Sequence, residues 1–218
     1  MSFVTKEGKM FRRLARLLAR ILLRIFTRWE VRGLENLPQG GPLIVAINHL
    51  GHLDAPLVVA TLPWPVEAIA LADLYRVPVT GQLLRLYGAI PVHRDRFDRQ
   101  VIRRALQVLA EGRALVLAPE ARMSRTGALE RARHGAAYLA LRSGVPILPV
   151  ALTGTERAYA EWKRLRRPRL TVTIGKPFTL PPYQSRGAAR REQLAKATDE
   201  IMHRIAALLP PEYRGVYG

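Results

Sequence analysis

The chain has 218 residues, 49% of them apolar and 24% charged. That composition excludes disorder as the main theme, and the length suits one domain with a full core rather than two small ones. Lys and Arg number 35 against 17 Asp and Glu, a formal charge of +18, so the partner is expected to be anionic: nucleic acid, an acidic membrane, a phosphorylated metabolite or an acidic carrier protein. Cysteine is absent, which excludes disulfides, thiol catalysis and zinc sites of the Cys type.

The stretch from Phe11 to Trp29 carries arginines throughout. It therefore reads as neither a signal peptide nor a membrane span, and the lack of a secretory leader favours the cytosolic side. At helical spacing Phe11, Leu14, Leu17, Leu18, Ile21, Leu22 and Ile25 share one half of the circumference, with Arg12, Arg13, Arg16, Arg20 and Arg24 on the other. Leu23 is the one clear exception. Such a helix can lie in the headgroup layer of an anionic bilayer. It can equally cover the domain's core with its apolar face and leave its basic face in water. Residues 1–31 are accordingly expected to form an amphipathic, membrane-associating helix, and residues 32–218 the remaining domain.

Short apolar runs then alternate with helical patterns. Pro42–Ile47, Ala68–Ala72, Ala89–Val92, Ala114–Ala118 and Pro146–Leu152 read as buried strands. Helices are predicted from about Asp98 to Glu111, stopped by Gly112, and from about Gly135 to Arg142, stopped by Gly144. Between Ala55 and Ala72 prolines and Glu67 interrupt an otherwise apolar stretch, which reads as core. Leu170–Gly175 alternates like a half-exposed strand, Ala188–Leu209 is helical, and Glu156–Arg169 is expected to be an irregular surface segment. The fold class is α/β, a single domain with a largely parallel mixed sheet, helices on both faces and the amphipathic helix in front. Chemistry in such sheets collects beyond the carboxyl ends of the strands.

One such end reads Asn48-His49-Leu50-Gly51-His52-Leu53-Asp54. A His at the strand end and an Asp five positions later, across a Gly-bearing bend, can bring imidazole and carboxylate together. Asp54 would then fix the tautomer of His49 and stabilise its imidazolium, leaving the other ring nitrogen to take a proton from a hydroxyl. That is half of a serine-protease triad with the substrate's own hydroxyl as nucleophile; no GxSxG elbow is present. Two other readings stand beside it. Asp54 can cap the helix that follows, with His49 an ordinary loop histidine. Alternatively His49, His52 and Asp54 can supply three metal ligands, although His93, His134 and His203 fall in no ligand pattern and no metal is expected.

Three further segments bear on these readings. Gly88-Ala89-Ile90-Pro91-Val92-His93-Arg94 puts an arginine just beyond a strand, Ala118-Pro119-Glu120 puts a carboxylate beyond another, and Val145-Pro146-Ile147-Leu148-Pro149-Val150 is a proline-marked strand. Together with the first motif they resemble, in order and spacing from about Arg32 to Phe178, the four blocks of the glycerolipid acyltransferases: Asn-His-x4-Asp, a Gly…Ile…Arg block, Phe-Pro-Glu-Gly-Thr-Arg, and Val-Pro-Ile-x-Pro-Val. The resemblance implies that His49 is a general base oriented by Asp54, that Arg94 binds acceptor phosphate and that Glu120 helps to position the acceptor. It also implies transfer from acyl-CoA or acyl carrier protein as co-substrate, without a cofactor or an acyl-enzyme, to the free hydroxyl of 1-acylglycerol-3-phosphate, giving phosphatidic acid. The partners are then an anionic membrane surface, the thioester donor and a lysophospholipid acceptor, with no nucleic acid, and the location is the cytoplasmic face of a membrane, peripheral or monotopic.

The third block departs from the pattern, since Glu-Gly-Thr-Arg is replaced by Glu120-Ala121-Arg122-Met123. Arg122 or Arg125 is then the candidate to reach the same phosphate; failing both, the acceptor is another lysolipid or a hydroxylated lipid. Glu120 and Arg122 could also form a simple loop ion pair, and Arg94 could belong to a solvated basic edge. Gly51 stands where the first block often has serine, a change of little expected consequence. Outside this reading, a basic nucleic-acid or membrane binder without activity would account for the charge, but no helix-turn-helix, RNA-recognition or zinc-finger signature is present. A lipid hydrolase would need a serine nucleophile or a water-activating metal, and neither is evident.

Overall fold

The computed structural model describes residues 6–93, 98–181, 183 and 187–218. Its elements in chain order are α1 (Lys6–Phe26), β1 (Arg28–Arg32), β2 (Leu43–Ile47), α2 (Asp54–Thr61), β3 (Val66–Leu71), α3 (Pro78–Tyr87), β4 (Ile90–Val92), α4 (Arg99–Ala110), β5 (Ala114–Leu117), α5 (Gly135–Ser143), β6 (Ile147–Thr153), α6 (Ala158–Lys163), β7 (Arg169–Ile174) and α7 (Ala188–Ala206). The seven strands form one sheet in the order β1-β7-β6-β2-β5-β3-β4. All pairings are parallel except β6 with β7. The α/β class and the largely parallel sheet expected from the alternating pattern are those observed.

The apolar runs read as buried strands because the sheet is covered on both faces. On one face Ile44, Ala46, Leu115, Ile147 and Ala151 pack with Ala105, Val108 and Leu109 of α4, Ala137 and Ala140 of α5 and Ile201, Met202 and Ile205 of α7. On the other, Leu43, Val45, Ile47, Val116, Leu148, Val150 and Leu152 pack with Leu57, Val58 and Ala60 of α2. Consecutive β2 residues alternate between the two clusters, as the period of two in a strand demands.

Of the two arrangements expected for α1, the one in which its apolar face covers the core is not observed: Arg12, Arg16 and Arg20 turn to the domain. Arg12 is 5% exposed; its Nε donates to the Tyr87 carbonyl (2.8 Å), its guanidinium forms a two-pronged ion pair with buried Glu67 (2.9 Å for Nη2–Oε2), and it lies 4.9 Å from the centre of the Tyr87 ring. Arg16 donates to the Pro63 carbonyl, and Arg20 Nε to that of Ala60 (2.6 Å). Leu23, the apolar residue out of place on the basic side, is the one that enters the core, at 4% exposure. Trp162 Nε1 donates to the Phe26 carbonyl (2.9 Å) and Arg167 to those of Arg24 and Thr27, serving carbonyls that the end of a helix leaves without intrahelical partners. Met10, Leu14, Leu17, Leu18, Ile21, Leu22, Ile25 and Phe26 face outward, each at least 44% exposed. Charge-assisted bonds from guanidinium to carbonyl and carboxylate thus join the burial of Leu23 in attaching this helix.

The sequence reading missed two elements and misjudged a third. β1 (RWEVR) is an edge strand flanked by charges, so only Trp29 and Val31 are half-buried, and the apolar signal is weak. α3 starts with Pro78 at its first turn and ends at Gly88, whose φ of 75° suits a helix terminator. Within Glu156–Arg169, expected to be irregular, Ala158–Lys163 forms α6, because buried Ala158 ties it to the core. No helix among the described residues is long and apolar enough to cross a membrane.

Candidate active site

Three neighbouring strands, β6, β2 and β5, run parallel and release their chains at the same edge. Just past these ends stand Thr155, His49 and Glu120. Asn48 extends the β2–β6 pairing with its side chain: Nδ2 donates to the Leu152 carbonyl (2.8 Å), and Oδ1 accepts from the Leu152 amide (2.7 Å). With Asn48 1% exposed, the strand end is fixed and His49 leaves it in a defined direction.

Nδ1 of His49 lies 2.6 Å from Oδ2 of Asp54. The same oxygen accepts the amides of Leu50 (2.7 Å) and Gly51 (2.8 Å), and Oδ1 accepts the Thr155 hydroxyl (2.5 Å). Asp54 is 1% exposed, so a carboxylate removed from water has its acceptor capacity taken up by four donors. With the carboxylate as acceptor, the ring proton belongs on Nδ1. Nε2 keeps its lone pair, on a side chain that is 32% exposed. Asp54 is the first residue of α2 rather than its cap; the cap position is Leu53, without a side-chain bond. Its carboxylate turns back to the bend, which sets aside the capping reading. His49, His52 and Asp54 do not gather as ligands either: His52 is exposed, and no metal-holding group of His, Asp or Glu occurs among the described residues.

Glu120, 3% exposed, reaches under the same bend. Its Oε2 accepts the His49 amide (3.0 Å) and its Oε1 the Glu130 amide (2.8 Å). Burial pushes its carboxyl up to about 7, against the opposing effect of those two amides. Glu120 forms no ion pair with Arg122. Arg122 pairs instead with Glu130, whose Oε1 accepts the Arg125 amide (2.7 Å); that bond and the arginine hold the Glu130 carboxyl below its usual value. The Ser124 amide, between these arginines, donates to the His49 carbonyl (2.7 Å), which lays the segment after β5 against the His49 bend. His49, Asp54 and Glu120 are brought together, with Arg122 and Arg125 on the adjoining loop. Arg94 lies outside the described residues.

Sequence reasoning missed Thr155 and the structural weight of Gly51. A Cβ built on Gly51 would stand 2.7 Å from the Thr155 carbonyl oxygen, so the position has no room for a side chain. The replacement of serine there, expected to matter little, coincides with this close approach. The signal for Thr155 was its place just beyond a proline-marked buried strand. Ala121, where the third block has glycine, has φ 55°, in the left-handed region that glycine favours.

A family model described as Acyltransferase matches residues 28–153, more than half of the chain. The chain belongs to the acyltransferase family. Within that family it is similar to a chloroplastic 1-acyl-sn-glycerol-3-phosphate acyltransferase of Brassica napus, 29% identical over 145 residues, covering 65% of this chain and 42% of the relative. It is also similar to the 1-acyl-sn-glycerol-3-phosphate acyltransferase of Bacillus subtilis (strain 168), 26% identical over 185 residues, covering 82% of this chain and 90% of that one. The chain spans about half the length of several of the curated relatives it matches. In fold it is similar to the 1-acyl-sn-glycerophosphate acyltransferase of Thermotoga maritima, with a TM-score of 0.65, 22% identity, and 92% and 83% of the two chains covered. The chain is thus a member of the acyltransferase family on a single α/β domain, similar to proteins named 1-acyl-sn-glycerol-3-phosphate acyltransferases.

Proposed function

We propose that the protein transfers a fatty acyl group from acyl-CoA or acyl carrier protein to the free hydroxyl of 1-acylglycerol-3-phosphate, giving phosphatidic acid. Nε2 of His49 takes the hydroxyl proton while the alkoxide oxygen attacks the thioester carbonyl. As the tetrahedral adduct collapses, the C–S bond breaks and the thiol leaves with the proton held by the imidazolium. Asp54 keeps the ring in the tautomer this requires and offsets its transient charge. Holding acceptor and thioester in one place supplies the orientation that a bimolecular transfer lacks. Arg94 is assigned to the acceptor phosphate, and Glu120 to holding the His49 bend beside the acceptor.

The observation that carries this reading is the His49–Asp54 pair: a fully bonded buried carboxylate on Nδ1, with Nε2 left for substrate. The relatives named 1-acyl-sn-glycerol-3-phosphate acyltransferases favour the acceptor. Engagement of Arg122 by Glu130 favours a second reading of the same chemistry, with another lysolipid or a hydroxylated lipid as acceptor. The outward apolar face of α1 supports peripheral attachment to the cytoplasmic face of an anionic membrane, α1 being the membrane-associating part within residues 1–31 and residues 32–218 the acyltransferase domain.

The test is an acceptor screen with radiolabelled acyl-CoA in mixed micelles, in wild type and His49→Ala. Labelled phosphatidic acid in wild type alone is expected, with the variant still folded. Full turnover by His49→Ala would end the mechanism, and label in a different lipid would select the second reading.

A further inference from the structure

At the opposite edge of the sheet from His49, a cavity of about 230 Å³ opens between α1, α3 and α4 near the amino ends of β3 and β5. Its wall carries four guanidinium groups, Arg12, Arg85, Arg104 and Arg113, and a single carboxylate, Glu67. Arg12 is held by Glu67 and the Tyr87 carbonyl, and Arg113 is braced between Glu67 and Glu111. Arg113 Nε is nevertheless buried without a hydrogen-bond partner. Gly88 belongs to the construction, since a Cβ there would stand 3.3 Å from the Arg12 guanidinium.

We propose that this cavity is a second anion site, which takes a phosphate group. Guanidinium forks match phosphate oxygens, and a phosphomonoester brings about −1.5 to −2 charges with three strong acceptors to a wall with four forks and one carboxylate. The volume exceeds what a carboxylate alone would fill. The phosphate can come from a lipid headgroup or from a soluble phosphate. Leu86 on the wall is 56% exposed, and exposed Leu83 of α3 with Met10 and Leu14 of α1 belong to the two helices that frame the opening. The binding chemistry stands on the cavity alone; only the lipid source rests on the membrane reading of α1.

The test is titration of the full chain with inorganic phosphate, followed by backbone amide resonances in wild type and in the double variant Arg85→Gln/Arg104→Gln. Both arginines are exposed, but Arg85 Nη2 donates to the Tyr75 carbonyl (2.8 Å), so a thermal melt of the variant accompanies the titration and shows that it is folded at the working temperature. Saturable shifts at Gly88 and Arg113, weakened at least tenfold in the variant, are expected. Shifts confined to the His49 bend, or scattered and equal in both proteins, would overturn the proposal. Co-sedimentation with phosphatidylcholine vesicles containing phosphatidate or an equal charge of phosphatidylglycerol separates the sources. Preference for phosphatidate that the double variant loses identifies the lipid headgroup, and equal sedimentation with intact phosphate shifts identifies the soluble anion. The readouts are binding at the cavity, so a failed acyl-transfer assay leaves this test unaffected.

Discussion

Asp54 and Thr155 are 101 residues apart in sequence, and the threonine hydroxyl donates to the carboxylate at 2.5 Å. The bond joins the ends of β2 and β6, and it restrains the carboxylate that holds the His49 ring. Thr155→Val keeps the shape and removes the donor, leaving a buried carboxylate oxygen unserved. We expect kcat to fall about tenfold, equivalent to about 1.4 kcal/mol, with little change in the acceptor KM, and Thr155→Ser to restore it. Steady-state kinetics of the two variants check this. A rise in KM with kcat unchanged would assign Thr155 to binding instead.

Ala121 occupies a left-handed backbone conformation, φ 55°, on the turn that carries Glu120. A non-glycine residue there costs roughly 1–2 kcal/mol, and glycine gives back part of the gain through the greater freedom of its unfolded chain. Ala121→Gly should therefore stabilise the protein by up to about 1 kcal/mol, raising Tm by about 2–4 °C. Thermal unfolding measures it, and a lower Tm would show that the turn is not strained.

The fold was legible where burial writes a simple pattern. PLIVAI and ALVLA are apolar on every residue because both sheet faces are covered, and the His49–Asp54 spacing already contained the bend that unites them. Features that depend on long-range partners were not legible. Arg12 and Glu67 look like solvent-facing charges until each supplies the other's counter-ion, and the arginine half of α1 reads as a water-exposed face because sequence periodicity records polarity, not which side meets the domain. Thr155 carries no local motif, and only the adjacency of β2 and β6 gives it a partner.

Glu120 supplies a pH dependence with a definite sign. Its carboxyl is raised by burial from an ordinary 4.5 to about 7, so the folded chain holds this proton more tightly than the unfolded chain. The stability it contributes is complete below about pH 4.5, is lost progressively as the pH rises to about 7, and is constant above that. The loss is on the order of 3–4 kcal/mol. Glu120→Gln cannot ionise, so the difference in unfolding free energy between wild type and variant should change across this interval and be flat beyond it. Denaturant unfolding at a series of pH values measures that difference; a constant offset throughout would refute the raised proton affinity.

The outward face of α1 separates membrane attachment from folding. Leu17 and Ile21 are 56% and 46% exposed, so they contribute little to the core, whereas Arg12 and Leu23 on the inward side bind the helix to the domain. Removing α1 outright would strip buried Glu67 of its two-pronged partner, leaving it only the pair with Arg113, and so confuse the two roles. Leu17→Gln/Ile21→Gln avoids this. Surface changes of that kind usually alter stability by no more than about 0.5 kcal/mol each. Full burial of such side chains in an apolar phase is worth about 1.5–3 kcal/mol apiece, so even partial insertion predicts at least a tenfold loss of affinity for anionic vesicles. Flotation with phosphatidylglycerol-containing vesicles, beside a thermal melt, checks both halves. Undiminished flotation of the folded double variant would mean that the apolar face of α1 does not enter the bilayer.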